Sequence, residues 1–333
     1  MRSKSSHFAV CIFPSLILFC VFVIPVYAST ITGTIYDNRR NPLPEVNVEL
    51  LNDYYQVINR SVTEASGRYE FGGLADGRYS VKVLPFRYDL LEQTQQIEIY
   101  TNKVRGTGSG NTTEIKDFFL SPRRGSLDEA EAGVIFAQEI PKDAKKAYET
   151  AVDLFTKNRR PEALAEIKRA INIFPNYFLA LNRLGREFVV EGKYGDAFPI
   201  LMKASDTNPK SPTALYYLGY TLYKLSYNKA ALVALKQAYI LSPTSVPLLW
   251  TLGSVERLEG QLPDAEKHLV QAKKLTRVEI PDLRFELALL FRDLGKFGLA
   301  ADELEAFLKG RPDAKDGDKI KKLIKTYREK TKS

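Results

Sequence analysis

The residues able to do chemistry in this 333-residue chain are few. Cys11 and Cys20 are its two cysteines, and His7 and His268 its two histidines. Three of the four lie in the first 28 residues, so a chain beginning at Ser29 has no thiol and a single imidazole. That excludes disulfides, Cys/His zinc sites, thiol nucleophiles and iron–sulfur ligation. His268 has Glu266 and Lys267 beside it and is expected to face solvent. No serine or aspartate stands at motif spacing from it. No carboxylate pair lies in a Gly-rich loop or at a strand end where acid/base work would be placed. The sequons Asn59-Arg60-Ser61 and Asn111-Thr112-Thr113 matter only in a eukaryotic secretory path and read as chance. The expectation is a protein with no catalytic residue, no metal and no cofactor, whose work is binding.

The elements that would position a binding surface follow from composition and pattern. Apolar residues make up 44%, charged residues 26%, and mean hydropathy is -0.23, the profile of a soluble globular chain. Arg2 and Lys4 precede an apolar run from Phe8 to Val26, and Val26-Tyr27-Ala28 offers small residues at both recognition positions. This reads as a secretory signal, residues 1–28, cleaved after Ala28, and predicts export. A retained anchor is the alternative, disfavoured by Pro25; lipidation at Cys20 is opposed by the bulky Phe19 before it. At about 150 residues per domain, the remainder holds two domains.

Residues 29–122 alternate with period two: Ile31, Gly33 and Ile35; Val46, Val48 and Leu50; Tyr79, Val81 and Val83. Such alternation buries one face of each strand. Asn41-Pro42, Ser66-Gly67 and Asp76-Gly77 supply turns. Together they predict an antiparallel sandwich, with Thr101–Thr113 as a mobile hairpin loop. The runs Gly33-Thr34-Ile35-Tyr36-Asp37, Asn41-Pro42-Leu43-Pro44 and Thr63-Glu64-Ala65-Ser66-Gly67-Arg68-Tyr69-Glu70-Phe71, with Gly77-Arg78-Tyr79, resemble the carboxypeptidase regulatory-like domain. The resemblance implies a seven-stranded, prealbumin-like antiparallel β-sandwich acting as a noncatalytic accessory module. Glu45 stands where that family usually has glycine. Related sandwiches bind glycans; here Tyr54, Tyr55, Phe86 and Tyr88 are read as sheet residues.

Residues 123–142 read as an exposed acidic linker, helical near its end, whose patch Val134-Ile135-Phe136 docks on the first helix of the next domain. From residue 143 to 313 a period of 34 takes over: Pro175, Pro209 and Pro243 are so spaced, and Pro312 follows 69 residues later. With repeats beginning at Ala144, Phe178, Pro212, Val246 and Pro281, the eighth position is Ala151, Gly185, Gly219, Gly253 and Ala288. The twentieth is Ala163, Ala197, Ala231, Ala265 and Ala300, and the twenty-seventh is alanine four times and then Phe307. Small side chains at fixed places let two antiparallel helices cross closely. Five such repeats resemble the tetratricopeptide repeat (TPR) and imply an all-α solenoid. Glu256, Arg277 and Pro199 depart from its pattern; Pro199 is expected to kink its helix. Residues 314–333 hold a capping helix with Ile320, Leu323, Ile324 and Tyr327 on its apolar face. The seven Lys and Arg from Lys319 to Lys332 read as solvated, with peripheral contact to an anionic membrane the lesser reading.

The TPR resemblance implies that the first helix of each repeat lines a concave groove. On that scheme the groove residues are Tyr148, Phe155, Asn182, Arg186, Val189, Tyr216, Tyr220, Tyr223, Trp250, Arg257, Phe285 and Arg292. Tyrosine, tryptophan and arginine dominate interaction hot spots. Residues 143–333 carry 33 Lys and Arg against 24 Asp and Glu, which favours acidic partners. The predicted function is an exported scaffold binding a protein or peptide, acidic ones preferred, in the bacterial periplasm, at the outer membrane or outside the cell. The alternative is an envelope protein that binds polysaccharide through the sandwich, the repeats acting as spacer or oligomerisation module. Nucleic acid is not an expected partner.

Overall fold

The computed structural model describes residues 29–38, 40–85, 88–100, 112–132, 136–157, 159–276, 279–312 and 314–331. The predicted signal at 1–28 lies outside them, as do Phe86, Val134, Ile135, Arg277 and residues 101–111 of the predicted mobile loop. Among the described residues no helix is long and apolar enough to cross a membrane.

The first unit is a sandwich of two four-stranded sheets. Its strands are β1 (Ser29–Tyr36), β2 (Asn47–Leu51), β3 (Val57–Val62), β4 (Arg68–Leu74), β5 (Gly77–Leu84), β6 (Gln93–Ile99), β7 (Thr113–Ile115) and β8 (Phe118–Phe119). One sheet runs β3-β2-β5-β6 and is antiparallel; the other runs β4-β1-β7, with β8 also on β1. Among the described residues the sandwich has eight strands where the resemblance implies seven, and one expectation is corrected: β7 and β8 pair parallel, not antiparallel, to β1. Strands β6 and β7, on either side of the undescribed residues 101–111, belong to different sheets. The alternating apolar residues meet in the middle: Ile31, Ile35, Val48, Leu50, Val81 and Val83 are fully enclosed. Tyr69 lies in the same core, its hydroxyl donating to the Lys116 carbonyl at 2.8 Å, and burial with Asp117 nearby pushes that phenol well above its ordinary pKa. Glu45 adopts φ 54°, the left-handed conformation that glycine would take more easily. Tyr54 and Tyr55 are not sheet residues; they stand exposed in the turn between β2 and β3.

A short helix, α1 (Leu127–Ala132), follows, and then five antiparallel helical pairs. They are α2 (Lys142–Thr156) with α3 (Arg160–Ile173), α4 (Phe178–Val190) with α5 (Tyr194–Thr207), α6 (Pro212–Lys224) with α7 (Asn228–Leu241), α8 (Val246–Leu258) with α9 (Leu262–Leu275), and α10 (Pro281–Asp293) with α11 (Phe297–Gly310). The twentieth-position alanines are all fully buried where the helices of a pair meet. At Gly219 a Cβ would lie 2.6 Å from Leu235 Cγ, which is why that crossing takes no side chain. Helix α5 runs unbroken through the exposed Pro199. Helix α12 (Gly317–Lys330) closes the array, burying Ile320 and Tyr327, while Ile324 is half-buried and Leu323 is 38% exposed.

Candidate protein-interaction groove

The N-terminus of a helix presents unpaired N–H groups and a partial positive charge, so each first helix of a pair asks for acceptors at its start. Ser211 and Ser245 answer for α6 and α8, their hydroxyls accepting from Ala214 N at 3.0 Å and Leu248 N at 3.4 Å. A second set of acceptors comes from the preceding chain. Asp89 Oδ1, from the loop after β5, accepts from Val246 N at 3.1 Å, at the start of α8. Glu131 Oε2, on α1, accepts from the Ser211 hydroxyl at 2.6 Å and from Thr213 N and Oγ1 at 3.2 and 2.8 Å, at the start of α6. Gln138 Oε1 accepts from Phe178 N at 3.0 Å, at the start of α4. With Asp89 reaching the start of α8 from the sandwich, the linker carries on to α6 and α4, so that each of these three helix starts meets one side chain.

The linker is therefore a strap, and the expectation of an exposed linker with a helix at its end is overturned. Its helix sits in the middle and its serine and leucine are buried, Ser126 at 0% and Leu127 at 6% exposure. Ser126 Oγ accepts from Glu129 N at 3.1 Å and the Glu129 carboxylate accepts from Gly125 N, a close relative of the capping box. Gly125 presses on the loop before α8, where a Cβ would lie 2.1 Å from Thr244 Oγ1. Arg123 Nη2 donates to Asp89 Oδ1 at 3.0 Å and to the Thr244 carbonyl at 2.8 Å. Burial holds the Asp89 carboxyl above its ordinary pKa, although its bonds from Ser245, Arg123 and Val246 N oppose the shift. Phe136 meets Phe178 edge-on at 5.4 Å, so it packs on α4 and not on α2 as predicted.

Arg186 and Tyr216, two of the predicted groove residues, lie under this strap. Leu127 shares a core cluster with Tyr216, Leu248 and Leu252. Arg186 Nη1 is 3.6 Å from Asp128 Oδ1, and its guanidinium stacks on Tyr217 at 5.0 Å. Burial alone would lower the Arg186 pKa; Tyr217, Asp128, Asp37 and Glu187 outweigh it and keep the cation. Three other predicted residues are structural. Phe155 is 1% exposed beneath Arg183, Val189 is core, and Asn182 donates to Thr213 Oγ1 at 2.9 Å. Tyr148 packs on Tyr177, whose phenol is pushed up to about 12 by burial and by Tyr148 and Glu149.

What remains accessible lies toward the other end. Tyr220 and Tyr223 meet at 6.4 Å, with Lys224 Nζ over both rings. Trp250 and Phe285 are half-buried. Arg257 is held by Glu286 at 2.9 Å and Asp293 at 3.0 Å, and Arg292 by Asp293 at 2.8 Å. The arginines expected to greet an acidic ligand are thus engaged with carboxylates of the chain itself. Sequence reading missed Asp89, Glu131, Gln138 and Thr213. The spacing Ser126-x-x-Glu129 was the available signal, since it marks a helix start at residue 127.

His268 is the further correction. It is 6% exposed on α9, with Nδ1 2.7 Å from Glu256 Oε2 on α8 and its ring edge-on to Tyr239 at 4.8 Å. Glu256, the departure from the repeat pattern, is fully buried as its partner. Among the described residues no group of three or more His, Cys, Asp or Glu is placed to hold a metal ion.

Comparison with known proteins bears on each half. Residues 30–107 match the carboxypeptidase regulatory-like domain family. Among solved structures, the chain is similar to YrrB, a TPR protein with an unusual peptide-binding site, at 23% identity and TM-score 0.48, covering 54% of this chain and 92% of that one. It is similar to MamA from Desulfovibrio magneticus RS-1 at 20% identity and TM-score 0.47, covering 53% and 99%. It is also similar to a TPR protein from Parabacteroides merdae at 16% identity and TM-score 0.47, covering 57% and 75%. No curated protein matches the sequence.

Proposed function

We propose that this chain, a carboxypeptidase regulatory-like sandwich strapped to a TPR array, is an exported noncatalytic scaffold that binds a protein partner on the groove face of its first helices. The observation that carries the reading is the strap: this face already holds a stretch of polypeptide, with a leucine in an aromatic wall and side-chain acceptors at two helix starts. A surface that seats its own chain through a buried anchor and a polar rim has the anatomy of an interface. The accessible end, with Tyr220, Tyr223, Trp250 and Phe285, is where a partner gains contact area without disturbing the strap. The charged-apolar-small pattern of residues 1–28 supports export to the periplasm, the outer membrane or the medium. The test is a crosslinked capture from an envelope fraction with wild type beside Tyr220→Ala, Trp250→Ala, its fold checked by circular dichroism. Capture by the wild type alone supports the groove; equal capture by both overturns it.

One observation favours polysaccharide as a second reading. Tyr54, Tyr55 and Tyr100 are exposed on the sandwich, with Gln96 Nε2 donating to the Tyr55 hydroxyl at 3.2 Å and Arg78 paired with Glu98 at 2.9 Å on β5 and β6. Aromatic faces beside amide and charged groups suit a sugar. Polysaccharide retention lost in Tyr54→Ala, Tyr55→Ala, with protein capture unchanged, would establish that reading.

A further inference from the structure

A ligand already seated in a groove describes what the groove recognises. Helix α1 has six residues, far below the twelve to fifteen or so at which an isolated helix becomes even marginal in water. It is helical where it is docked. Its contacts form a short code. Ser126 caps it, Leu127 is the apolar anchor, Asp128 faces Arg186, and Glu131 takes the start of α6. The fit is incomplete at one point. Asp128 Oδ1 is buried with no hydrogen-bond partner, and the Arg186 nitrogen stands 3.6 Å away, beyond bonding reach. A cavity of about 30 Å³ lies at this junction, lined by Leu127, Asp128, Arg186 and Tyr217 among others. The strap holds the slot but does not saturate it.

We infer that Ser126–Glu131 is a self-supplied ligand, and that a partner presenting a short acidic helix, serine-capped with leucine followed by acids one and four residues on, takes the same slot by exchange. The inference rests on the groove reading above and deepens it by naming the ligand chemistry and the device that guards it. A tethered segment competes at an effective concentration on the order of millimolar. The apparent affinity for an outside ligand falls by the fraction of molecules with the slot open. Only a ligand that fits better, or is delivered locally, displaces it. A side chain one methylene longer than Asp128 reaches into the cavity toward Arg186, so the exchange favours glutamate at that place.

The probe is a fluorescent peptide of residues 123–132, read by anisotropy against the chain from Ser29 onward. The opened variant is Leu127→Ala with Glu131→Gln. The expected results are binding at least about tenfold tighter to the opened chain than to wild type, loss of that gain when Arg186→Ala is added, and tighter binding of a peptide carrying Asp128→Glu. A peptide with Leu127→Ala should not bind. Wild-type chain gives a readout that needs no variant: excess peptide should speed amide exchange of residues 127–132 and leave α4, α6 and α8 protected. Equal peptide affinity for opened and wild-type chains, or unchanged exchange at saturating peptide, overturns the inference and makes the strap a fixed part of the fold. Partner capture that depends on Trp250, together with that negative result, would leave the groove reading standing and sink the exchange alone.

Discussion

Glu256 occupies a place between α8 and α9 where the other repeats put apolar side chains, and it survives there because His268 comes with it. The two form one buried polar unit, Oε2 to Nδ1 at 2.7 Å, while Glu256 Oε1 and His268 Nε2 have no hydrogen-bond partner. Removing one member leaves the other desolvated and unpaired, which costs more than removing both. His268→Ala should therefore destabilise the array by about 3–5 kcal/mol, read as a lowered urea midpoint. Glu256→Leu with His268→Leu should return stability to wild type or above it, because the pair gives way to apolar volume. A double variant as unstable as the single one would show that the pair, and not its half-removal, is what the site needs. The exposed setting expected for His268 followed from its charged neighbours in sequence, whereas its real neighbour is twelve residues away on the facing helix.

At the scale of elements, α5 carries a defect that can be relieved. Pro199 is exposed inside this helix, where it cannot donate to the carbonyl of Gly195 and its ring crowds that turn. The helix absorbs this because its inner face, Ala197, Leu201 and Ala204, is buried against neighbouring helices. Pro199→Ala should stabilise the second repeat by about 1–3 kcal/mol, seen as slower amide exchange along α5. Elements like these were legible because their determinants are local and repeated. Ala163, Ala197, Ala231, Ala265 and Ala300 are all at 0% exposure, one contact constraint written five times. The sandwich was legible from its alternation, but the parallel pairing of β7 and β8 with β1 was not, since period two says nothing of which strand is the neighbour. The strap was least legible. Its bonds span great distances in sequence, 121 residues from Arg123 to Thr244 and 82 from Glu131 to Thr213. Two of the twelve predicted groove residues went with it, since Arg186 and Tyr216 were assigned to a partner and are covered by residues 126–131.

For the whole molecule the strap decides how the two domains share stability. A solenoid is held by contacts between neighbouring repeats, so a perturbation weakens the units it touches and fades along the array. The strap and the β5–β6 loop touch α4, α6 and α8 through Gln138, Glu131 and Asp89, and they bring carboxylates to an array in which Lys and Arg outnumber Asp and Glu by 33 to 24. Long-range attraction and helix-start capping act in the same direction there. A chain cut to residues 143–333 keeps every repeat and loses all three acceptors. At about 0.5–2 kcal/mol for each lost cap, the middle repeats should lose roughly 1.5–6 kcal/mol. Hydrogen exchange should report this as faster opening of α4, α6 and α8, with α10, α11 and α12 near their protection in the longer chain. Uniform loss along the array would mean that the sandwich stabilises the solenoid as a whole. No loss would mean that water caps the freed helix starts as well as the strap does, and the strap's acids would then serve to occupy the groove more than to hold it together.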